Sequence, residues 1–198
     1  MSLFFGAETK SKEDANALVL GLCWDRSSSF RKGSAKAPKV IREYTSSKIY
    51  NSYTENNVNL KDYWKIYDLG DVSPKIVEEG IVNPHNIVQI GTRASTAEQT
   101  AYAKNAKIKI VTTSDVCKNA EKISFLINEA LGKVDNVYVS FDVDVLDPAF
   151  APGVGNPEGG GITPRNLIDI THNLKGLNVK ALDIVEANPD YDCVGVTF

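Results

Sequence analysis

Apolar and polar positions fall into short blocks along the chain, and the spacing within each block predicts its element. Ala17 to Leu22 is almost wholly apolar and reads as a first buried strand. Trp24 to Ser29 then reads as a loop leading to Gly33. Ala37 to Tyr44 starts a helix, with Pro38 in its first turn, where a missing N–H does no harm. Asn51 to Asn59 is polar and loop-like. Trp64 to Val72 reads as a strand running into a turn, and Lys75 to Gly80 as a helical turn. Asn86 to Ile90 is a short buried strand closed by Gly91-Thr92-Arg93, and Thr96 to Asn105 is helical, capped by Ser95 or Thr96. Ile108 to Val111 is a strand. Glu121 to Leu131 carries Ile123, Leu126, Ile127 and Leu131 at the spacing of an amphipathic helix. Val137 to Phe141 has the apolar run of a strand buried on both faces. Thr163-Pro164 pairs a capping hydroxyl with proline at the first helical position, so a helix runs to about Leu174. Val179 to Ile184 is the last strand.

Strands that alternate with helices imply βαβ units, a mainly parallel sheet and helices on both of its faces. A single domain spanning residues 1–198 is expected, since no linker or composition shift divides the chain. Hydrophobic residues at 42% and charged residues at 24% are those of a globular protein. A net charge of −3 gives no reason to expect nucleic acid or an anionic membrane as partner. The apolar runs are too short to cross a bilayer, and the N-terminus lacks the basic and apolar regions of a signal peptide. Cys23, Cys117 and Cys193 have no CxxC spacing and read as buried free thiols of a cytoplasmic protein.

Chemistry concentrates between Val137 and Thr163. The strand ends in Asp142, Asp144 and Asp147, and a turn rich in proline and glycine follows. Alternation along a strand would put Asp142 and Asp144 on one side, about 7 Å apart. Open α/β sheets bind ligands at the carboxyl ends of their strands, and two buried carboxylates there call for a hard cation such as Mg²⁺ or Mn²⁺. Asp147, directly before Pro148, is better suited to holding turn amides. Glu186 stands just past the last strand, at the same rim, where a carboxylate can hold a cationic group by paired hydrogen bonds. His85 and His172 are placed for structural or solvent roles. The glycines at 153, 155 and 159–161 do not have the spacing of a phosphate loop.

Ser140 to Gly153, reading SFDVDVLDPAFAPG, with Gly-Gly-Ile-Thr at 160–163, resembles a signature of the ureohydrolases, the arginase and agmatinase family. Asp183 to Pro189 is similar to the family's second signature. The likeness extends to Trp24-Asp25 with Gly33 and Ala37-Pro38, to Asp68 to Val72, and to Gln89 to Arg93. Ala149 to Gly153 resembles agmatinases more than arginases, although Val154, Asn156 and Gly159 depart from the usual residues. The resemblance implies a three-layer α/β/α fold, here incomplete. It implies two Mn²⁺ ions that activate a hydroxide, and hydrolysis of a guanidino compound, agmatine first, to urea and an amine. Asp142 and Asp144 would be metal ligands and Glu186 the ligand of the substrate guanidinium. A small cationic substrate and a homo-oligomer are expected.

Two further metal motifs of the family, Gly-Gly-Asp-His and Asp-Ala-His-x-Asp, occur nowhere in the sequence, and neither does its downstream histidine. They would belong between Val72 and Ile87. The expectation is that the chain lists parts of a longer protein, with a break near Val72–Lys75, and that Phe198 precedes a further helix. On Asp142 and Asp144 alone, Mn²⁺ should bind weakly. The alternative is a metal-poor, non-catalytic relative serving as a subunit or binding module. A phosphatase or glycosyltransferase built on Asp-x-Asp fits less well, because Leu146 stands where such a phosphatase needs threonine and no nucleotide loop is present.

Overall fold

The computed structural model describes residues 9, 11–25, 28, 30–46, 51–72, 84–193 and 195–198. Its contacts form two compact units. The first holds β1 (Ala17–Leu22), α1 (Ala37–Thr45), α2 (Leu60–Tyr63), β2 (Ile66–Val72) and the segment Asn188–Tyr191. The second holds β3 (Val88–Thr92), α3 (Ala97–Ala106), β4 (Lys109–Thr112), α4 (Thr113–Lys118), α5 (Ala120–Leu131), β5 (Val137–Asp142), α6 (Pro164–His172) and β6 (Val179–Val185). The strands pair two by two, β1 with β2, β3 with β4 and β5 with β6, and every pair is parallel. The fold is α/β with parallel pairing, as the alternation of elements implied.

In the first unit, β2 carries one more residue than β1 where Val19 faces Asp68 and Gly21 faces Asp71. Gly70 takes φ 80° there, a left-handed conformation that favours glycine. The bulge lets Asp68 and Asp71, three apart, face the same partner. That partner is Arg42 of α1, which is buried. Its Nε donates to Asp68 Oδ2 at 2.6 Å, its Nη2 to Asp68 Oδ1 at 2.9 Å and to the Gly70 carbonyl at 3.2 Å, and its Nη1 to Asp71. The forked pair with Arg42 holds the Asp68 carboxyl below the usual carboxylate range.

The core of the second unit is Val111, Val116, Ile123, Ile127, Ile162 and Ile170, with Val88, Ile90, Val145, Leu146 and Leu167 packed against it. Ile123 and Ile127 lie one turn apart on α5, so the spacing seen in the sequence is the face that is buried. Thr96, Thr112 and Thr163 each close a capping box, with Gln99, Asp115 and Asn166 as the reciprocal partners.

Several expectations are corrected. A helix, α4, follows β4 directly in a stretch for which no element was expected, started by the Thr112–Asp115 capping box. The short α2, capped by Asn59, fills the unassigned stretch between the loop and the strand, and β2 begins at Ile66 rather than Trp64. β5 and β6 are not buried on both faces: Tyr138 is 61% and Leu182 64% exposed, since the two strands pair only with each other, and the first four residues of β6 are all exposed. Cys117 and Cys193 are exposed rather than buried. The turn read at Lys75 to Gly80 lies outside the described residues, and so does the expected break near Val72–Lys75 beyond Val72 itself. Among the described residues no helix is long and apolar enough to cross a membrane.

Candidate metal centre

β5 ends at Asp142, and Val143–Val145 form one tight helical turn. This corrects the alternation argument: Asp144 sits on a turn, not on the strand. The two acids still converge, because Asp142 caps that turn, its Oδ1 accepting from the Asp144 N–H at 3.0 Å. Burial pushes the Asp142 carboxyl up to about 7, and the neighbouring Asp144 charge adds to this, with a smaller push from Glu186. Asp144 is raised too, chiefly by burial, while the Arg93 guanidinium opposes the rise. Two carboxyls this close titrate as a pair.

Glu186 is also raised, by burial first and then by Asp144, so its carboxylate shares the field of the dyad. It immediately follows β6 and has φ 61°, a left-handed conformation uncommon for a residue with a side chain. An antiparallel bridge between Ala187 and Val154, the latter 0% exposed, fixes the backbone next to it. Strained backbone of this kind persists where its surroundings over-determine it, often at functional sites.

The loop that follows the acids is closed on itself. Leu146 and Ile162 form a parallel bridge, with Asp147 N–H donating to the Ile162 carbonyl at 3.0 Å and Ile162 N–H to the Val145 carbonyl at 3.1 Å. Asp147 collects the N–H groups of Ala149, Gly160 and Gly161 at 3.0, 2.8 and 3.2 Å, which hold its carboxyl below the usual range. Its oxygens are thus occupied by the turn. Core contacts of Val145, Leu146 and Ile162 anchor both ends of this loop.

Arg93 had no role in the sequence reading beyond its place in a matching segment. Its guanidinium donates to main-chain carbonyls around the acidic turn: to Asp144, to Val145 at 3.3 Å, to Leu146 at 3.5 Å and to Glu158 at 3.2 Å. Gly91, with φ 82°, passes so close to Val145 that a Cβ there would meet its side chain at 2.3 Å. Asp183, also without an assigned role, accepts from the Tyr138 hydroxyl at 2.5 Å across the β5–β6 pair. His85 lies in the turn before β3 and His172 in the last turn of α6; neither joins the dyad in a ligand group.

Do these residues suit Mn²⁺? The donors are of the right kind, hard carboxylate oxygens whose mutual repulsion a cation would relieve. Their number falls short: among the described residues no group of three or more His, Cys, Asp or Glu side chains is arranged to hold a metal. Asp142 and Asp144 would hold one side of a centre.

Residues 15–77 and 73–197 match the model of the arginase family, and the chain belongs to that family. A guanidinopropionase of Pseudomonas aeruginosa is 35% identical over 133 residues, covering 66% of this chain and 42% of that protein. An agmatinase of Blochmanniella floridana is 38% identical over 133 residues, covering 66% and 41%. The chain therefore spans about two fifths of the length of these relatives. The crystal structure of oxidized Trypanosoma cruzi formiminoglutamase with Mn²⁺ has the same fold, with a TM-score of 0.80 at 18% identity, over 96% of this chain and 90% of that one.

Proposed function

We propose that the protein carrying this chain hydrolyses a guanidino compound to urea and an amine, with agmatine as substrate and Mn²⁺ as cofactor. The observation that carries this reading is the dyad of Asp142 and Asp144 beside a strained Glu186. Bound cations would lower the pKa of a water and so supply a nucleophile at neutral pH. Asp142 and Asp144 would hold them, together with ligands from outside this set. Glu186 would hold the planar guanidinium by charge-assisted hydrogen bonds and present its carbon to that nucleophile. Asp147 and Arg93 keep the acidic turn in place.

The charge of the site supports agmatine over a guanidino acid. Three carboxylates act on one another there through their charges, and the cation that acts on Asp144, Arg93, has hydrogen bonds to carbonyls. An acid substrate would need a cation for its carboxylate, whereas the second ammonium of agmatine suits a negative field. A homo-oligomer is part of the same proposal, and so is a cytoplasmic location, for which the free cysteines are the support.

Urea release tests the reading. The full-length protein, loaded with Mn²⁺, is given agmatine, arginine, guanidinobutyrate and guanidinopropionate in turn. Urea should form fastest from agmatine, and none from any substrate would overturn the assignment. Glu186→Gln should lower kcat/KM about 10- to 100-fold, the worth of one charge-assisted hydrogen bond, with metal content unchanged. One observation favours a second reading, a metal-poor binding module: the shortage of ligands among the described residues. A full-length protein that takes up no Mn²⁺ would decide for it.

A further inference from the structure

We infer that Arg93 is a positioning residue for the metal centre: it shapes the Asp142–Asp144 turn through the backbone and leaves both carboxylates for a cation. This deepens the function proposed above and rests on it.

A guanidinium within reach of acids ordinarily pairs with them in a forked ion pair. Arg42 in the first unit does so with Asp68. Arg93 does not. Its hydrogen bonds go to four carbonyls, of Asp144, Val145, Leu146 and Glu158. The first three are consecutive, so one flat group spans the end of the turn that places Asp144. The fourth belongs to the far limb of the loop, next to the glycines that Asp147 holds. The side chain thus ties the acidic turn to the loop that closes over it.

The geometry has two consequences. Carbonyl oxygens at the end of a helical turn carry partial negative charge and lack partners within the turn. A cation there stabilises a turn that would otherwise be opposed by the repulsion of its own acids. Because the contacts are to backbone, no carboxylate oxygen is consumed, and the donor set stays available. Gly91, two residues earlier, lets the chain pass close enough to Val145 for this reach. A lysine would keep the charge but, as a single point, could not span the carbonyls.

Two variants of the full-length protein test this, Arg93→Lys and Arg93→Met. The first readout needs no metal. In the presence of EDTA, hydrogen exchange at the Asp147, Gly160 and Ile162 amides should accelerate at least about tenfold in both variants, while amides of α5 stay near the wild-type rate. The second is Mn²⁺ affinity by electron paramagnetic resonance titration. It should weaken about 10- to 100-fold, as for other residues that orient metal ligands, and more in Arg93→Met than in Arg93→Lys. At saturating Mn²⁺, KM for the guanidino substrate should return to the wild-type value. Unchanged exchange at the turn, or Mn²⁺ affinity equal to wild type, would overturn the inference. Faster exchange throughout the unit, α5 included, would also overturn it, since Arg93 would then be a general stabiliser. A wild-type protein that binds no Mn²⁺ would instead refute the proposed function, and the exchange comparison would still judge Arg93.

Discussion

Asp142→Asn should make the metal-free protein more stable and the metal-binding protein inactive. The wild-type carboxyl is moved from 3.8 to about 7, mainly by burial and next by Asp144. In the folded state ionisation is therefore disfavoured, while in the unfolded chain it is not. The folded protein binds more protons across that interval, so stability falls as pH rises from about 4 to about 7 and stays low above it. A rise from 3.8 to about 7 corresponds to a factor of roughly 10³ in proton affinity, on the order of 4 kcal/mol as an upper bound. Water reaches a half-buried pair, and Asp144 shares the titration, which reduces the expected gain to about 1–2 kcal/mol. Asparagine keeps the Oδ1 that accepts the Asp144 N–H, so the turn survives the change. The assay is urea unfolding of full-length protein in EDTA, wild type against variant, between pH 4 and pH 8. The stability gap should open with rising pH and reach its full size above pH 7. A variant less stable than wild type at pH 8, or a gap independent of pH, would refute the reasoning. Acids retained at a cost to stability are the mark of a functional site.

Two further outcomes follow from the packing. Ile162 is 1% exposed and both anchors the acid loop and fills the core, so Ile162→Ala should lower unfolding free energy by about 2–5 kcal/mol and weaken Mn²⁺ binding together; unfolding and metal titrations on one sample check this. Asp68→Asn removes the forked carboxylate from the buried Arg42, which keeps its bond to Asp71, and should cost about 3 kcal/mol. Because Asp68 is held below its unfolded value, that contribution is present above about pH 4 and is lost as pH falls through the folded value, so the gap between wild type and variant should close in acid.

Most elements were legible in the chain because their determinants are local. Thr96 and the Thr163-Pro164 pair marked the starts of α3 and α6, and Ile123 with Ile127 selects the buried face of α5. The candidate acids were legible as well, since charged residues at the end of an apolar strand are costly without a partner. One local signal was overlooked: Thr112 with Asp115 three residues on closes a capping box that starts α4.

What the tertiary structure decided is how distant pieces meet. The sequence presents Asp142 and Asp144 as alternating strand positions, but folding ends the strand between them and joins them through a turn. The sequence offers Glu186 as a carboxylate for a cationic group, but its left-handed backbone beside the bridged Ala187 is seen only in the fold. Arg93 lies 51 residues before the carbonyl of Asp144, and no spacing rule connects a guanidinium to backbone oxygens that far away. Hydrogen bonds to main chain leave no trace in residue type, because every residue offers the same carbonyl. The sequence determined which groups carry charge and which stretches form helices and strands; the fold alone determined which charges share a field, and which of them is left for a cation.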